Sequence, residues 1–247
     1  MRTTRKRGER MIDVKKQRGV VLAMGIFMLT ALLGIVGNGL MGHGFHAQYS
    51  ISQYIGFATW SALLFGVGNV IMIATVARFL YSVGEAWEMP RGFYWLVVLM
   101  ATGLVGVSVI PAGYFDDLGL GGVPTEIHTT CARLMFVAMI IIAAMLAVAR
   151  PASKWTRRAF GFYVVYGVIC ALAYLTEAPW FMRGILMFEA TFLLGFLFAC
   201  AGMRGKQEYP VPSGLASGVQ EQIRGRQASK SNKVNSKSGK DKDGKRC

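Results

Sequence analysis

The chain has 247 residues, of which 53% are hydrophobic, and its 27 Lys and Arg against 13 Asp and Glu give a formal net charge of +14. This hydrophobic content is heavy for a soluble domain of this size and fits a polytopic membrane protein. The four cysteines form no disulfide framework, because Cys131, Cys170 and Cys200 fall within apolar stretches and Cys247 ends the chain.

Six apolar runs follow one another along the sequence, and a helix that crosses a hydrocarbon core of about 30 Å needs about 20 such residues. The runs occupy residues 20–41, 54–80, 93–112, 127–149, 159–175 and 184–203. The first is too long for the apolar part of a cleavable signal peptide and is expected to remain as a signal anchor. The second is the longest and is expected to extend into the cytoplasm around Arg78 or to tilt. The fifth is the shortest. The sequence therefore predicts an all-α bundle of six transmembrane helices.

Basic residues alternate with the predicted spans. Of the 27 Lys and Arg, 24 lie in the N-terminal piece, after the second run, after the fourth run or in the tail, and residues 42–53, 113–126 and 176–182 contain none. Short loops rich in Lys and Arg stay on the cytoplasmic side of a membrane. The pattern predicts a basic cytoplasmic N-terminus (1–19), a transmembrane domain (20–203) and a disordered, basic cytoplasmic tail (204–247).

The basic tail has two candidate partners, nucleic acid and anionic lipid. Residues 213–247 contain no aromatic side chain, so they lack the groups on which bases stack in single-strand binding proteins. We therefore expect no nucleic-acid partner and an association of the tail with the anionic membrane surface.

Several membrane chemistries lack the residues they need. No histidine lies deep in a predicted span to ligate haem, no span contains a lysine for a retinal Schiff base, and the glycine-rich piece 113–122 lacks the ending of a phosphate-binding loop. We expect no cofactor.

Two ionisable residues lie inside the predicted spans, Arg133 and Glu189. At 1.5 Å per residue both lie about 8 to 9 Å below the outer boundary, on the fourth and sixth spans. The sequence predicts an ion pair between them. The pair either fastens two helices or forms the floor of a cavity that opens to the outside.

Other polar side chains gather near the same side. Glu126, Thr130 and Arg133 share one face of the fourth span, and Tyr163, Tyr166, Cys170, Tyr174 and Glu177 share one face of the fifth. The tyrosine stripe indicates either interhelical packing or the lining of a substrate path. Asn38 and Asn69 are expected to form interhelical hydrogen bonds.

The predicted outer loops carry imidazoles and carboxylates, the nitrogen and oxygen ligands that zinc uses. Candidate ligands are His43, His46 and Asp117, and the alternative is an ordinary solvated loop in which Asp116 also lies. His128 opens the fourth span and is expected to cap or orient its start.

The stretch from Gly106 to Phe136 resembles a prokaryotic six-span family, the domain-of-unknown-function family numbered nine-nine-eight. The resemblance rests on Gly106, on Val109-Ile110-Pro111, on the acidic glycine-rich loop and on Ile127-His128. It implies a six-span protein of the prokaryotic plasma membrane without an assigned reaction, and it draws attention to Pro111 and His128. The chain departs from the family pattern at Ile110, where an aromatic residue is usual.

Three classes of function are compatible with these residues. The first is the binding or passage of a small molecule or lipid in an outward-facing pocket, with Arg133 holding an anionic group. The pocket residues are Arg133, Glu189, His128, Glu126, Glu177 and Pro111. The second class is an intramembrane hydrolase that acts at the outer leaflet, with His128 as general base and Asp116, Asp117 or Glu177 as acid or as metal ligands. The third is a structural or assembly subunit whose tail binds lipid.

Overall fold

The computed structural model describes residues 14–110 and 122–204, which lie in the first of the two units into which the chain divides, Met1–Lys206. Within these ranges the structure is helical and contains no β-strand. The helices are α1 (Val14–Asn38), which continues into a π-helical turn (Gly39–His43), α2 (Ile51–Gly56), α3 (Thr59–Ala86), α4 (Arg91–Val109), α5 (Val123–Val148), α6 (Lys154–Leu175), α7 (Pro179–Met182) and α8 (Ile185–Ala201).

Five helices are long and apolar enough to cross a membrane, namely α1 with its π-helical turn, α3, α4, α5 and α6. The prediction of an all-helical chain with several apolar, membrane-length helices is thus confirmed. The fifth apolar run is longer than expected, because Ser153 accepts a hydrogen bond from the Thr156 N–H and starts α6 at Lys154, which gives 22 residues. The shortest of the six long helices is instead α8, with 17 residues.

The second apolar run does not begin a single helix at Tyr54, as the sequence suggested. Tyr54 belongs to α2, and the long helix α3 starts five residues later. A capping box explains the start of α2: the Ser50 hydroxyl accepts from the Gln53 N–H while the Gln53 side chain accepts from the Ser50 N–H. At its other end α3 passes Arg78 and continues to Ala86, six residues beyond the apolar run.

The six long helices form a ring. Each packs against the next in the order α1, α3, α4, α5, α6 and α8, and α8 packs against α1. Small residues allow the closest approaches: a Cβ added to Gly103 of α4 would lie 2.7 Å from the Cys131 carbonyl oxygen of α5, and one added to Gly68 of α3 would meet Thr30 of α1.

The centre of the ring is apolar. Phe65, Met72, Met100, Met135 and Phe196 are among the side chains of one continuous buried cluster. A cavity of about 20 Å³ lies between Met72, Met100, Leu104, Met139 and Phe196. A space of this size holds one water-sized molecule at most, so this level of the bundle offers no path for a larger solute.

The two span asparagines pair between helices, as expected. Asn38 donates from its side-chain amide to the Tyr54 carbonyl oxygen at 2.6 Å and to the Ser61 hydroxyl at 2.9 Å. Asn69 of α3 donates to the Ser108 hydroxyl of α4 at 2.9 Å. Each amide oxygen is buried without a partner among the described residues. Through its bonds to Tyr54 and Ser61, Asn38 fixes the connection between α1 and α3 (residues 39–58) to the end of the bundle.

Candidate functional site

His128 lies at the packed interface of α4 and α5. Its side chain is buried, and Nδ1–H donates to the carbonyl oxygen of Ile110, just after the end of α4. This bond assigns the proton of the neutral ring to Nδ1 and leaves the lone pair on Nε2. His128 therefore fastens the start of α5 to the end of α4. Pro111, Asp116 and Asp117 lie outside the described residues.

Arg133 lies on the exposed surface of α5, five residues or about 1.4 turns after His128. Its guanidinium carbon is 5.7 Å from the centre of the Tyr174 ring, near the end of α6. This distance is within the range of a cation–π contact. In the described part of the chain no carboxylate pairs with Arg133. Arg133 is exposed, so its guanidinium stays accessible beside Tyr174 where α5 meets α6.

Glu189 is partly buried on α8 and has a different partner. One carboxylate oxygen accepts from the backbone N–H of Ile51, at the start of α2, at 2.9 Å. The Leu186 N–H donates nearby to the Ala47 carbonyl oxygen at 3.2 Å. Together these bonds fasten the α1–α3 connection to the beginning of α8.

The predicted Arg133–Glu189 ion pair does not form in the structure. Both residues lie at comparable positions near one end of the bundle, but Arg133 faces Tyr174 of α6 and Glu189 faces Ile51 of α2. The neighbour that each side chain meets depends on how the helices pack, which the spacing of residues along one helix does not determine. The prediction was therefore wrong about the partners.

Glu126 and Glu177 are exposed. Glu126 lies in the first turn of α5, where a carboxylate interacts favourably with the helix dipole. Glu177 has a φ of 49° and follows the end of α6, where the N–H groups of Glu177 and Ala178 donate to the carbonyl oxygens of Tyr174 and Ala173. These two bonds form a Schellman motif. Glu177 occupies the left-handed position of this motif, where glycine is usual. Glu177 has a role in ending a helix that the sequence did not indicate.

The histidines His43 and His46 are held by aromatic neighbours. The His43 ring stacks on Phe57 at 4.3 Å, and the His46 ring meets the edge of Tyr49 at 5.0 Å. The His46 backbone N–H donates to the Tyr54 hydroxyl. Across the described ranges no group of three His, Cys, Asp or Glu side chains could hold a metal ion; Asp117 lies outside them.

The tyrosine stripe of α6 packs mainly against α8. Tyr163 is buried with its ring 4.9 Å from that of Phe192, and the Tyr166 hydroxyl donates to the Phe188 carbonyl oxygen at 3.4 Å. Tyr174, at the end of the stripe, turns to α5 and Arg133. Interhelical packing thus describes most of the stripe. Tyr174 is the member with a role in the candidate site.

The structure therefore gives His128, Arg133 and Glu189 partners at three different helix interfaces. Arg183, at the end of α7, is exposed and adds a basic residue to the same end of the bundle. The arrangement leaves Arg133 with Tyr174 as the best candidate for contact with an external anion.

No known protein family, curated protein or solved structure matches this chain.

Proposed function

We propose that this chain is a six-span membrane protein with both ends in the cytoplasm, which binds the anionic headgroup of an amphiphile in the outer leaflet through Arg133 and Tyr174. The proposal includes the expected location in a prokaryotic plasma membrane. It retains Arg133 from the outward-facing pocket predicted from the sequence, and it moves the binding site from the interior of the bundle to the exposed surface where Arg133 of α5 meets Tyr174 of α6.

Exposed tryptophans support this orientation. Trp60 and Trp180 lie at one end of the bundle, beside the start of α3 and just before α8, and Trp95 and Trp155 lie at the other, near the starts of α4 and α6. Tryptophan is enriched at both membrane–water interfaces. The four residues fit two aromatic belts, with the loops rich in Lys and Arg beyond the belt of Trp95 and Trp155.

The contacts of α8 support a sixth span despite its 17 residues. Near its start, Leu186 bonds to Ala47 of the α1–α3 connection. Beyond its end, the Gln17 side chain of α1 donates to the carbonyl oxygens of Ala201 and Met203. The contacts of α8 therefore extend from the beginning of α1 to the α1–α3 connection. Its length of about 26 Å approaches the thickness of the hydrocarbon core.

Arg133 carries the functional part of the proposal. An unpaired charge on a lipid-facing helix surface is costly and is relieved when the side chain reaches the interface or an anion. Side chains of an α-helix tilt toward its N-terminus, and the N-terminus of α5 is its outer end in the proposed orientation. The guanidinium can therefore extend toward the outer headgroups, and its position beside Tyr174, one residue before the end of α6, is consistent with this direction.

The Tyr174 ring contributes to the affinity as well as to the position. A guanidinium over the face of an aromatic ring gains a cation–π attraction, while its planar fork of N–H groups can still donate to two oxygens of a phosphate or carboxylate at once. Binding has better support than hydrolysis, because the His128 side chain is buried between α4 and α5 and, among the described residues, no carboxylate bonds to it.

The experiment compares thermal unfolding of the purified full-length chain with added phosphatidylglycerol or phosphatidylcholine. A ligand that binds the folded state raises its unfolding temperature. We expect phosphatidylglycerol to raise the unfolding temperature of the wild type more than phosphatidylcholine does, and Arg133→Gln to abolish the difference.

Arg183→Gln is the control, because it removes one exposed charge at the same end of the bundle. We expect this variant to retain the wild-type difference. Equal loss of the difference in both variants would indicate a general effect of charge and would overturn the assignment to Arg133.

A further inference from the structure

The ends of α1 and α8 meet at the pole of the bundle opposite Arg133. Gln17, in the first turns of α1, donates from Nε2 to the carbonyl oxygens of Ala201 at 2.6 Å and Met203 at 2.9 Å. These bonds satisfy carbonyl groups that a helix end otherwise leaves without partners. They also occupy both N–H groups of the Gln17 amide.

The backbone of Arg204 is fixed to the start of α6. The Thr156 hydroxyl donates to the Arg204 carbonyl oxygen at 2.9 Å and accepts from the Arg204 N–H at 2.9 Å, and the Ser153 N–H donates to the same carbonyl oxygen at 3.0 Å. Three bonds thus hold the main chain of Arg204, while its side chain is exposed. These bonds fix the position of Arg204 relative to the start of α6.

A cleft of about 270 Å³ lies between the two helix ends. The described residues that line it are Gln17, Arg18, Val21, Ala201, Gly202 and Arg204. Two of these carry guanidinium groups and none is acidic, so the cleft is cationic. Because the Gln17 amide donates to carbonyl oxygens, Arg18 and Arg204 are the lining side chains that supply donors to a ligand.

The other side of the cleft is apolar. Val21 is 49% exposed, and Leu22, next to it, is 67% exposed. Both lie on α1 just inside the predicted apolar run, whereas Gln17 and Arg18 precede it. In the proposed orientation the arginines therefore lie at the level of the cytoplasmic headgroups, and the apolar side chains lie at the level of the acyl chains.

We infer that this cleft is a binding site for an anionic phospholipid of the inner leaflet, with Arg18 and Arg204 on the headgroup phosphate and Val21 beside the acyl chain. Basic pockets between helix ends on the cytoplasmic side of a membrane bind such headgroups. The lipid would join the beginning and the end of the transmembrane domain. The inference requires the proposed orientation and is independent of Arg133.

The test is native mass spectrometry of the full-length chain, which counts the phosphatidylglycerol molecules that stay bound. We expect the double variant Arg18→Gln/Arg204→Gln to bind the most tightly held lipid about 30-fold more weakly, the equivalent of about 2 kcal/mol for two basic residues. The matched control is Arg91→Gln/Arg158→Gln, which removes two exposed charges from the same pole. It is expected to bind as the wild type does.

Two further measurements are needed. The first distinguishes a lipid headgroup from free phosphate as the ligand, and the second distinguishes this cleft from the outer site at Arg133. Excess inorganic phosphate is expected to leave the bound lipid in place, because phosphate lacks the apolar contact with Val21. Displacement of the lipid by phosphate would show a site for the free ion and overturn the inference, as would equal lipid retention by both double variants. Arg133→Gln is expected to leave this site unchanged, so failure here is distinguishable from failure of the outer site.

Discussion

Glu189 of α8 accepts a hydrogen bond at 2.9 Å from the backbone N–H of Ile51 in α2, 138 positions earlier in the chain. The bond lies at the contact of α8 with the α1–α3 connection, where Leu186 also bonds to Ala47. At the other pole Gln17 bonds to Ala201 and Met203. Polar bonds thus fasten α8 at both of its ends, to the α1–α3 connection at one pole and to α1 at the other.

Substitution of Glu189 tests the first of these fastenings. Glu189→Leu removes the acceptor of the Ile51 N–H, and we expect amide hydrogen exchange at the start of α2 to become about 10-fold faster or more, which corresponds to about 1.4 kcal/mol. Glu189→Gln keeps a side-chain oxygen that can accept and is expected to exchange nearly as the wild type does. If the two variants exchange alike, the bond to Ile51 does not stabilise α2.

Thiol labelling tests the six-span orientation. In a chain whose native cysteines are replaced by alanine, Gln48→Cys and Arg183→Cys are expected to react in intact cells with a reagent that does not cross membranes. Glu85→Cys and Lys154→Cys are expected to react only after permeabilisation, because Lys154 lies in a basic segment with Arg150, Arg157 and Arg158 and Glu85 lies near Arg91 at the same end of the bundle. Labelling of Arg183→Cys only after permeabilisation would contradict a sixth span formed by α8.

The contact of α4 with α5 gives a prediction about stability. A Cβ at position 103 would lie 2.7 Å from the backbone oxygen of Cys131 and 3.0 Å from the Cβ of Met135. Because backbone atoms cannot move aside, we expect Gly103→Ala to lower the free energy of unfolding by about 1–3 kcal/mol. Gly161→Ala is the control, since a Cβ there has no neighbour within 4 Å. An equal effect of both changes on unfolding in mixed detergent micelles would contradict the close approach.

Substitution of Glu177 tests whether this exposed residue takes part in ligand binding or only in ending α6. Its φ of 49° lies in the left-handed region, where a side chain costs about 1–2 kcal/mol and glycine does not. We therefore expect Glu177→Gly to raise the unfolding temperature and to leave the response to phosphatidylglycerol unchanged. A loss of that response would give the carboxylate a part in ligand binding.

The sequence predicted the helical class and the pairing needs of Asn38 and Asn69, because these follow from hydropathy and from the cost of unpaired polar groups in apolar surroundings. For the tyrosine stripe it left interhelical packing and a substrate path as alternatives, and packing describes most of the stripe. It did not predict the partner of Glu189. That partner is a backbone N–H, which every residue except proline carries, so no sequence pattern identifies it.

The spacing of Ser50 and Gln53 is a capping-box pattern that indicates the start of α2. The apolar run continues without interruption after Tyr54, so the sequence gives no sign that a new helix begins at Thr59. The contact of Arg133 with Tyr174 depends on the rotation of α5 and α6 about their axes. Spacing along one helix places residues on a common face but does not determine which neighbour that face meets.

The outer anion site is tested most directly by cross-linking with a phosphatidylglycerol that carries a photoreactive group in its headgroup. The variants are Arg133→Gln, Arg133→Lys, Tyr174→Leu and Tyr174→Phe. Lysine keeps the charge and phenylalanine keeps the ring, so these two are expected to retain most of the cross-linking, whereas Tyr174→Leu loses a contact worth about 0.5–1 kcal/mol and is expected to retain less.

The account predicts cross-links in wild type on the segments around Arg133 in α5 and Tyr174 near the end of α6. It predicts their loss in Arg133→Gln and their retention in Arg183→Gln. Cross-links that are spread evenly over the helices, or that persist in Arg133→Gln, would contradict the proposal that Arg133 binds an anionic headgroup.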